Sequence, residues 1–100
     1  MNLIAFKSST DEAHPPKDIS PSLEAMWHQA KGDWDAAHRL AQSQNNPAGK
    51  WVHAYLHRIE GDNRNAAYWY NLAGKEFCTS RLADEWDEIT KVLIENSSLN

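Results

Sequence analysis

Apolar residues recur between positions 21 and 96 at the three- and four-residue intervals of amphipathic helices. These intervals predict five helices, each with one apolar stripe facing a common core. In chain order the stripes are Leu23, Met26, Trp27 and Ala30; Trp34, Ala37, Leu40 and Ala41; Val52, Tyr55, Leu56 and Ile59; Ala66, Trp69, Tyr70 and Ala73; and Leu82, Trp86, Ile89 and Leu93. No segment has the alternating pattern of a strand, so the pattern predicts an all-α fold.

Capping residues and glycines mark the expected helix ends. Ser20 followed by Pro21 is a typical start, because serine accepts a backbone N–H bond and proline needs no partner at the first helical position. Gly32 and Gly61 are each followed by an aspartate, so we expect each glycine to end one helix and the aspartate to cap the next. In the second of these turns, Asn63 is an alternative cap.

The chain repeats itself with a period of 29 residues. The matching positions are Ala25 and Ala54, His28 and His57, Gly32 and Gly61, Asp33 and Asp62, and Ala37 and Ala66. Self-similarity at a fixed period is typical of stacked helical hairpins. We therefore expect two tandem antiparallel helix hairpins followed by a C-terminal capping helix.

The first twenty residues differ from the rest of the chain. We expect residues 1–20 to form an extended arm, and residues 21–96 to form a single helical-repeat domain. The adjacent Pro15 and Pro16 favour extended backbone. A short apolar patch begins the arm, and we expect it to dock on the core because large apolar side chains are costly to leave in water. The patch consists of Leu3, Ile4 and Phe6.

Residues 50–74 resemble a tetratricopeptide repeat. The matching positions are Gly61 and Asp62 at the turn, and Ala66, Tyr70 and Ala73 as the alanine, aromatic and second alanine of the following helix. The resemblance implies that the first helix of each pair lines a concave ligand-binding surface. The period is shorter than the 34 residues of that family, so the chain is similar to it without being a regular member.

A second resemblance is to a group of short uncharacterised bacterial proteins. They share a segment like His53-Ala54-Tyr55-Leu56-His57-Arg58-Ile59-Glu60-Gly61-Asp62, followed by Asn65-Ala66-Ala67-Tyr68-Trp69-Tyr70 and Ala73-Gly74. This resemblance implies a common family and carries no function with it.

Composition and charge argue against several classes of protein. One hundred residues make a single domain, and a net charge of −4 without a basic stripe argues against nucleic-acid binding. No apolar run approaches the roughly 18 residues needed to span a membrane. The first residues lack a secretion signal, and the single Cys78 excludes an internal disulfide. We therefore expect a cytoplasmic protein.

Histidines on the predicted third helix form a candidate metal site. His53, His57 and Glu60 are spaced so that all three project from one flank, and two imidazoles with a carboxylate can ligate zinc. His28 holds the matching place on the first helix and is expected to approach His57. His38 is expected to be a polar edge residue. The alternative is structural: half-buried histidines hydrogen-bonded to a neighbouring helix.

An aromatic flank lies on the other side of the predicted third helix. Trp51, Tyr55 and Arg58 share it, and Met26 and Gln29 hold related places on the first helix. Aromatic residues with arginine are typical of binding hot spots, so this flank predicts a surface for a peptide or a partner helix. The alternative is that Trp51 and Tyr55 lie beneath the N-terminal arm or the fifth helix.

These patterns favour an interaction module over an enzyme. The expected partner is a protein, a peptide or a second copy in a homodimer, because two hairpins fall short of the usual three repeats. Of three consecutive aromatics, Trp69 and Tyr70 are expected to pack inward, which leaves Tyr68 for the hairpin interface or for an exposed patch that favours self-association. No cofactor is predicted for this function. The alternative is a small metal carrier or metal-dependent enzyme using His53, His57 and Glu60 with zinc.

Overall fold

The computed structural model describes residues 1–97, which form six α-helices and no strand. The helices are α1 (Leu3–Ser9), α2 (Pro21–Ala30), α3 (Trp34–Gln42), α4 (Pro47–Ile59), α5 (Asn63–Ala73) and α6 (Leu82–Ser97). The predicted all-α class is confirmed, and the five predicted helices are α2 to α6. None of the described helices has the length and apolar character needed to cross a membrane.

The two repeated turns have the same backbone geometry. Gly32 and Gly61 have φ values of 84° and 82°, a left-handed conformation that suits glycine. In each turn the following aspartate donates its N–H to the carbonyl of a histidine five residues earlier. Its side chain then accepts the backbone N–H three residues later. Asp62, rather than the alternative Asn63, is therefore the cap of α5.

Helices α2 to α5 pack on one another in chain order: α2 on α3, α3 on α4, and α4 on α5. Leu23 of α2 and Val52 of α4, which match in the sequence repeat, lie in one buried core. Ala37 and Ala66 are fully buried. Small residues at these positions let neighbouring helices approach closely.

Helix α6 packs across α2 and α4 instead of extending the stack beyond α5. The Trp86 indole N–H donates to the carbonyl of Met26 over 3.1 Å. The Tyr55 hydroxyl donates to the carbonyl of Leu82 over 2.9 Å. The C-terminal helix therefore covers the side of α2 and α4 that was expected to be a concave binding surface.

The prediction of an extended arm is wrong for its first half, which forms α1. Asn2 caps this helix by accepting the N–H of Ala5 over 2.9 Å. A helix places Phe6 on the core, where it is fully buried and packs against Trp86 with ring centroids 6.0 Å apart. Ile4 faces water, with 76% of its surface exposed. The expected docking of the apolar patch is thus confirmed for Phe6, in a helical form.

Helix α4 lies at the centre of the fold. Every residue from 51 to 57 is buried, and α2, α3, α5 and α6 all pack against this helix. A surface helix has only one apolar stripe, whereas a helix buried all round lies inside the core. Two histidines belong to the buried run of α4, and buried polar groups need partners.

Candidate functional site

The aromatic flank predicted to bind a partner lies inside the protein. Trp51 and Tyr55 are 5% and 2% exposed, and Met26 is fully buried. Tyr55 lies beneath the start of α6, whereas the Lys75 ammonium group lies 4.2 Å above the Trp51 ring. These aromatic side chains are core residues, so they do not form the predicted binding surface.

Arg58, also predicted to bind a partner, is engaged within the protein by α6. Its guanidinium group donates to the Glu85 carboxylate over 2.8 Å and to the backbone carbonyl of Ser80. Glu85 is 1% exposed and also accepts the hydroxyl of Tyr70, at 2.7 Å and 2.6 Å from its two oxygens. Burial and the Glu85 carboxylate raise the pKa of Tyr70, so its hydroxyl remains a donor at neutral pH.

Glu85 was not among the residues predicted from sequence to form a site. A signal for its burial was present in the sequence: Glu85 lies three residues after Leu82 and four before Ile89, both on the apolar stripe. Gln29, the last predicted partner residue, is half-buried. It lines a shallow groove where Lys7 pairs with Asp87 over 2.9 Å.

The outer face of α5 carries exposed apolar side chains. Tyr68 and Leu72 lie one turn apart and are 59% and 41% exposed. Tyr70 is buried and Trp69 is half-buried, so the predicted orientation of the three consecutive aromatics is confirmed. Within residues 1–97, α4 is the one helix on which α5 packs closely.

Three histidines converge between α3 and α4. The Nε2 atoms of His38 and His53 lie 3.0 Å apart. One ring nitrogen from each of His38, His53 and His57 lies within 4.8 Å of the other two. The sequence placed His28 near His57, but His28 lies on α2, where its Nε2 is 3.5 Å from Glu24. The structure brings in His38 instead, because α3 packs against this flank of α4.

Tryptophan rings hold two of these imidazoles in place. Trp34 stacks on His38 with centroids 4.8 Å apart and planes 9° apart. Trp69 stacks on His53 at 3.9 Å and 14°. The Trp34 indole N–H donates to the carbonyl of Leu56 over 2.8 Å, which fixes that ring to α4. The histidine rings are therefore positioned by packing from α3 and α5.

Glu60 contacts only one member of this three-histidine cluster. Its Oε1 lies 2.5 Å from His57 Nδ1, and the Asn65 amide nitrogen lies 3.4 Å from His57 Nε2. A carboxylate at Nδ1 favours a proton on that nitrogen, which leaves the lone pair on Nε2. Glu60 therefore orients His57 and does not join the three-histidine cluster.

The surroundings of His38 and His53 favour neutral imidazoles. Burial, reinforced by the positive charge that His38 and His57 would carry, lowers the pKa of His53 to about 4. Burial is also the largest cause that lowers the pKa of His38, and His57 adds to it. His38 and His53 are consequently neutral at pH 7. Their Nε2 atoms share one hydrogen bond, in which one nitrogen donates and the other accepts, so an ion bound by both nitrogens would replace the shared proton.

Comparisons of the chain with protein-family models, curated proteins and solved structures find no match. The class that the fold itself defines is a small all-helical protein with an internal repeat. Two features of this chain bear on its function: the outer face of α5 and the three-histidine cluster.

We predict that Glu85→Gln lowers the free energy of unfolding by roughly 3 kcal/mol, because Arg58 would keep its charge without its buried partner. Chemical denaturation measures this loss. The matched control is Asp84→Asn, which breaks the exposed ion pair with Arg81 and is expected to leave the free energy of unfolding almost unchanged, because water screens an exposed pair. Equal losses in the two variants would contradict the buried network.

We predict that the free energy of unfolding falls in mild acid, because His53 has a lowered pKa in the folded protein. Unfolded His53 titrates near 6.5 and folded His53 near 4, so the unfolded chain takes up its proton first as the pH falls. The contribution of His53 is complete above about pH 6.5 and is lost towards pH 4, by on the order of 3 kcal/mol. Chemical denaturation at a series of pH values should show this loss, with EDTA present to keep metal ions from the histidines.

The variant that checks the assignment is His53→Gln, which should flatten that part of the pH profile. His14→Gln changes an exposed histidine of the N-terminal segment and should leave the profile unchanged. If wild type and His53→Gln show the same pH dependence, His53 is not the group responsible.

Proposed function

We propose that the protein is a small helical-repeat interaction module, similar to a tetratricopeptide pair, whose partner is a second copy of the same chain. The observation that carries the proposal is the pair of exposed apolar side chains on α5. Tyr68 and Leu72 are 59% and 41% exposed, and a separation of four residues puts both on one face of the helix.

The lone Cys78 supports a reducing compartment such as the cytoplasm.

The position of α5 at the end of the stack supports the proposal that a helix of another molecule packs on it. α3, the equivalent helix of the first hairpin, packs on both α2 and α4. α5 packs on α4, and among the described helices no further helix continues the stack beyond it. Repeat units bury their apolar faces against neighbours, and three or more repeats are usually needed for stability. A helix from another molecule would therefore extend the stack.

The outer face of α5 is suited to pack against the same face of a second copy. When two α5 helices pack antiparallel with Tyr68 at the two-fold axis, Arg64 of one copy lies beside Leu72 of the other. Arg64 is the one charged residue between positions 63 and 73, so this register brings no two like charges together. The aliphatic stem of an arginine covers apolar surface well. The face is thus self-complementary, as a two-fold interface requires.

We expect wild-type protein to form a dimer in sedimentation equilibrium, and Tyr68→Asp to weaken the dimer at least 100-fold because it places two carboxylates at the two-fold axis. Ile4→Asp is the matched control, since Ile4 is also a large exposed apolar residue but lies on α1. It should leave dimerisation unchanged. Helicity from circular dichroism confirms that both variants fold.

A wild-type protein that remains monomeric at millimolar concentration would overturn the proposal of a second copy. Equal dissociation constants for Tyr68→Asp and Ile4→Asp would overturn the assignment to α5.

A further inference from the structure

We infer that His38, His53 and His57 form a binding site for a divalent transition-metal ion of the zinc class. This site is separate from the outer face of α5 and does not depend on dimerisation. These ligands differ from those predicted from sequence: His38 takes the place of His28, and Glu60 positions His57 without binding the ion.

The spacing of the nitrogens is close to what one metal ion needs. Zinc binds imidazole nitrogen at about 2.0–2.1 Å, so two such ligands in a tetrahedral site lie about 3.3 Å apart. The Nε2 atoms of His38 and His53 are 3.0 Å apart, and the most distant nitrogens of the cluster are within 4.8 Å. Closing a gap of that size takes a movement of about 1.5 Å between the ring nitrogens.

The three rings are positioned before any ion binds. Trp34 and Trp69 stack on His38 and His53. Glu60 contacts Nδ1 of His57, which is the usual support for a metal-binding imidazole whose other nitrogen is the ligand. Binding through Nε2 would require the ion to displace the long Asn65 contact at that atom, 3.4 Å in length. The cost is small because a neutral contact of that length is weak.

The donor set selects the class of ion. Imidazole nitrogens suit Zn²⁺, Ni²⁺ and Cu²⁺, whereas Mg²⁺ and Ca²⁺ prefer oxygen ligands. Three protein ligands also leave one tetrahedral position for water or another ligand, as in open zinc sites. His53 borders a small cleft whose lining includes Gln44 and Lys50, and we expect an ion to enter from solvent through this cleft.

The test titrates metal-free protein with ZnCl₂ and follows the histidine ring signals by NMR and the heat of binding by calorimetry. We expect one Zn²⁺ per chain and shifts of the ring signals of His38, His53 and His57. His14 and His28, which lie outside the cluster, should not move. MgCl₂ and CaCl₂ should give no binding. The wild-type NMR titration keeps the test valid even if a variant fails to fold.

Variants then assign the ligands. His38→Gln and His57→Gln should each weaken zinc binding at least 100-fold, and Glu60→Gln should weaken it by about 10-fold to 100-fold through the loss of a positioning residue. His28→Gln is the matched control and should bind as wild type does. Absence of zinc binding by the wild-type protein, shifts that include His28, or equal affinity for His38→Gln and His28→Gln would each overturn the inference.

Discussion

The burial of α4 on all its sides is the constraint on which the rest of the structure depends. Residues 51–57 are buried without interruption, so every side chain of this run has to be accommodated inside a chain of 100 residues. Its apolar members form the core with Leu23 and the residues around it. Its polar members cannot remain without partners, because an unpaired buried polar group costs free energy.

Neighbouring helices supply those partners. α3 brings His38 to His53, and the residue after the buried run, Arg58, pairs with Glu85 of α6. The candidate metal site and the Glu85 network are therefore two consequences of enclosing one helix. The outer face of α5 is the complementary case, because α5 touches the core on one side and no helix among residues 1–97 packs on the other.

Local features of the chain were predictable from sequence because they depend on nearby residues. Ser20 and Asp33 cap helices as expected, and the turns at Gly32 and Gly61 repeat as the 29-residue period predicts. The placement of α6 was not predictable in the same way, because an apolar stripe shows that a helix packs but not against which surface. For this reason the sequence left open whether Trp51 and Tyr55 form an exposed flank or lie beneath another element, and both are buried.

The candidate metal site was likewise predictable only in the part that lies within one helix. His53 and His57 were found because spacing within one helix fixes their common flank. The third histidine had to come from another helix, and the repeat pattern pointed to His28 at the matching position. The neighbour of this flank is α3, where His38 follows Trp34 by four residues and so shares its face. That spacing was the signal in the sequence for His38.

Native-state hydrogen exchange tests the enclosure of α4 most directly. If α4 is enclosed, the amides of Val52, Ala54 and Leu56 exchange most slowly in the protein, with an opening free energy equal to that of global unfolding. Amides of α1 and of the outer face of α5 should exchange through smaller openings. If the α4 amides exchange faster than those of α2 or α6, α4 is not the enclosed centre of the fold and the account is contradicted.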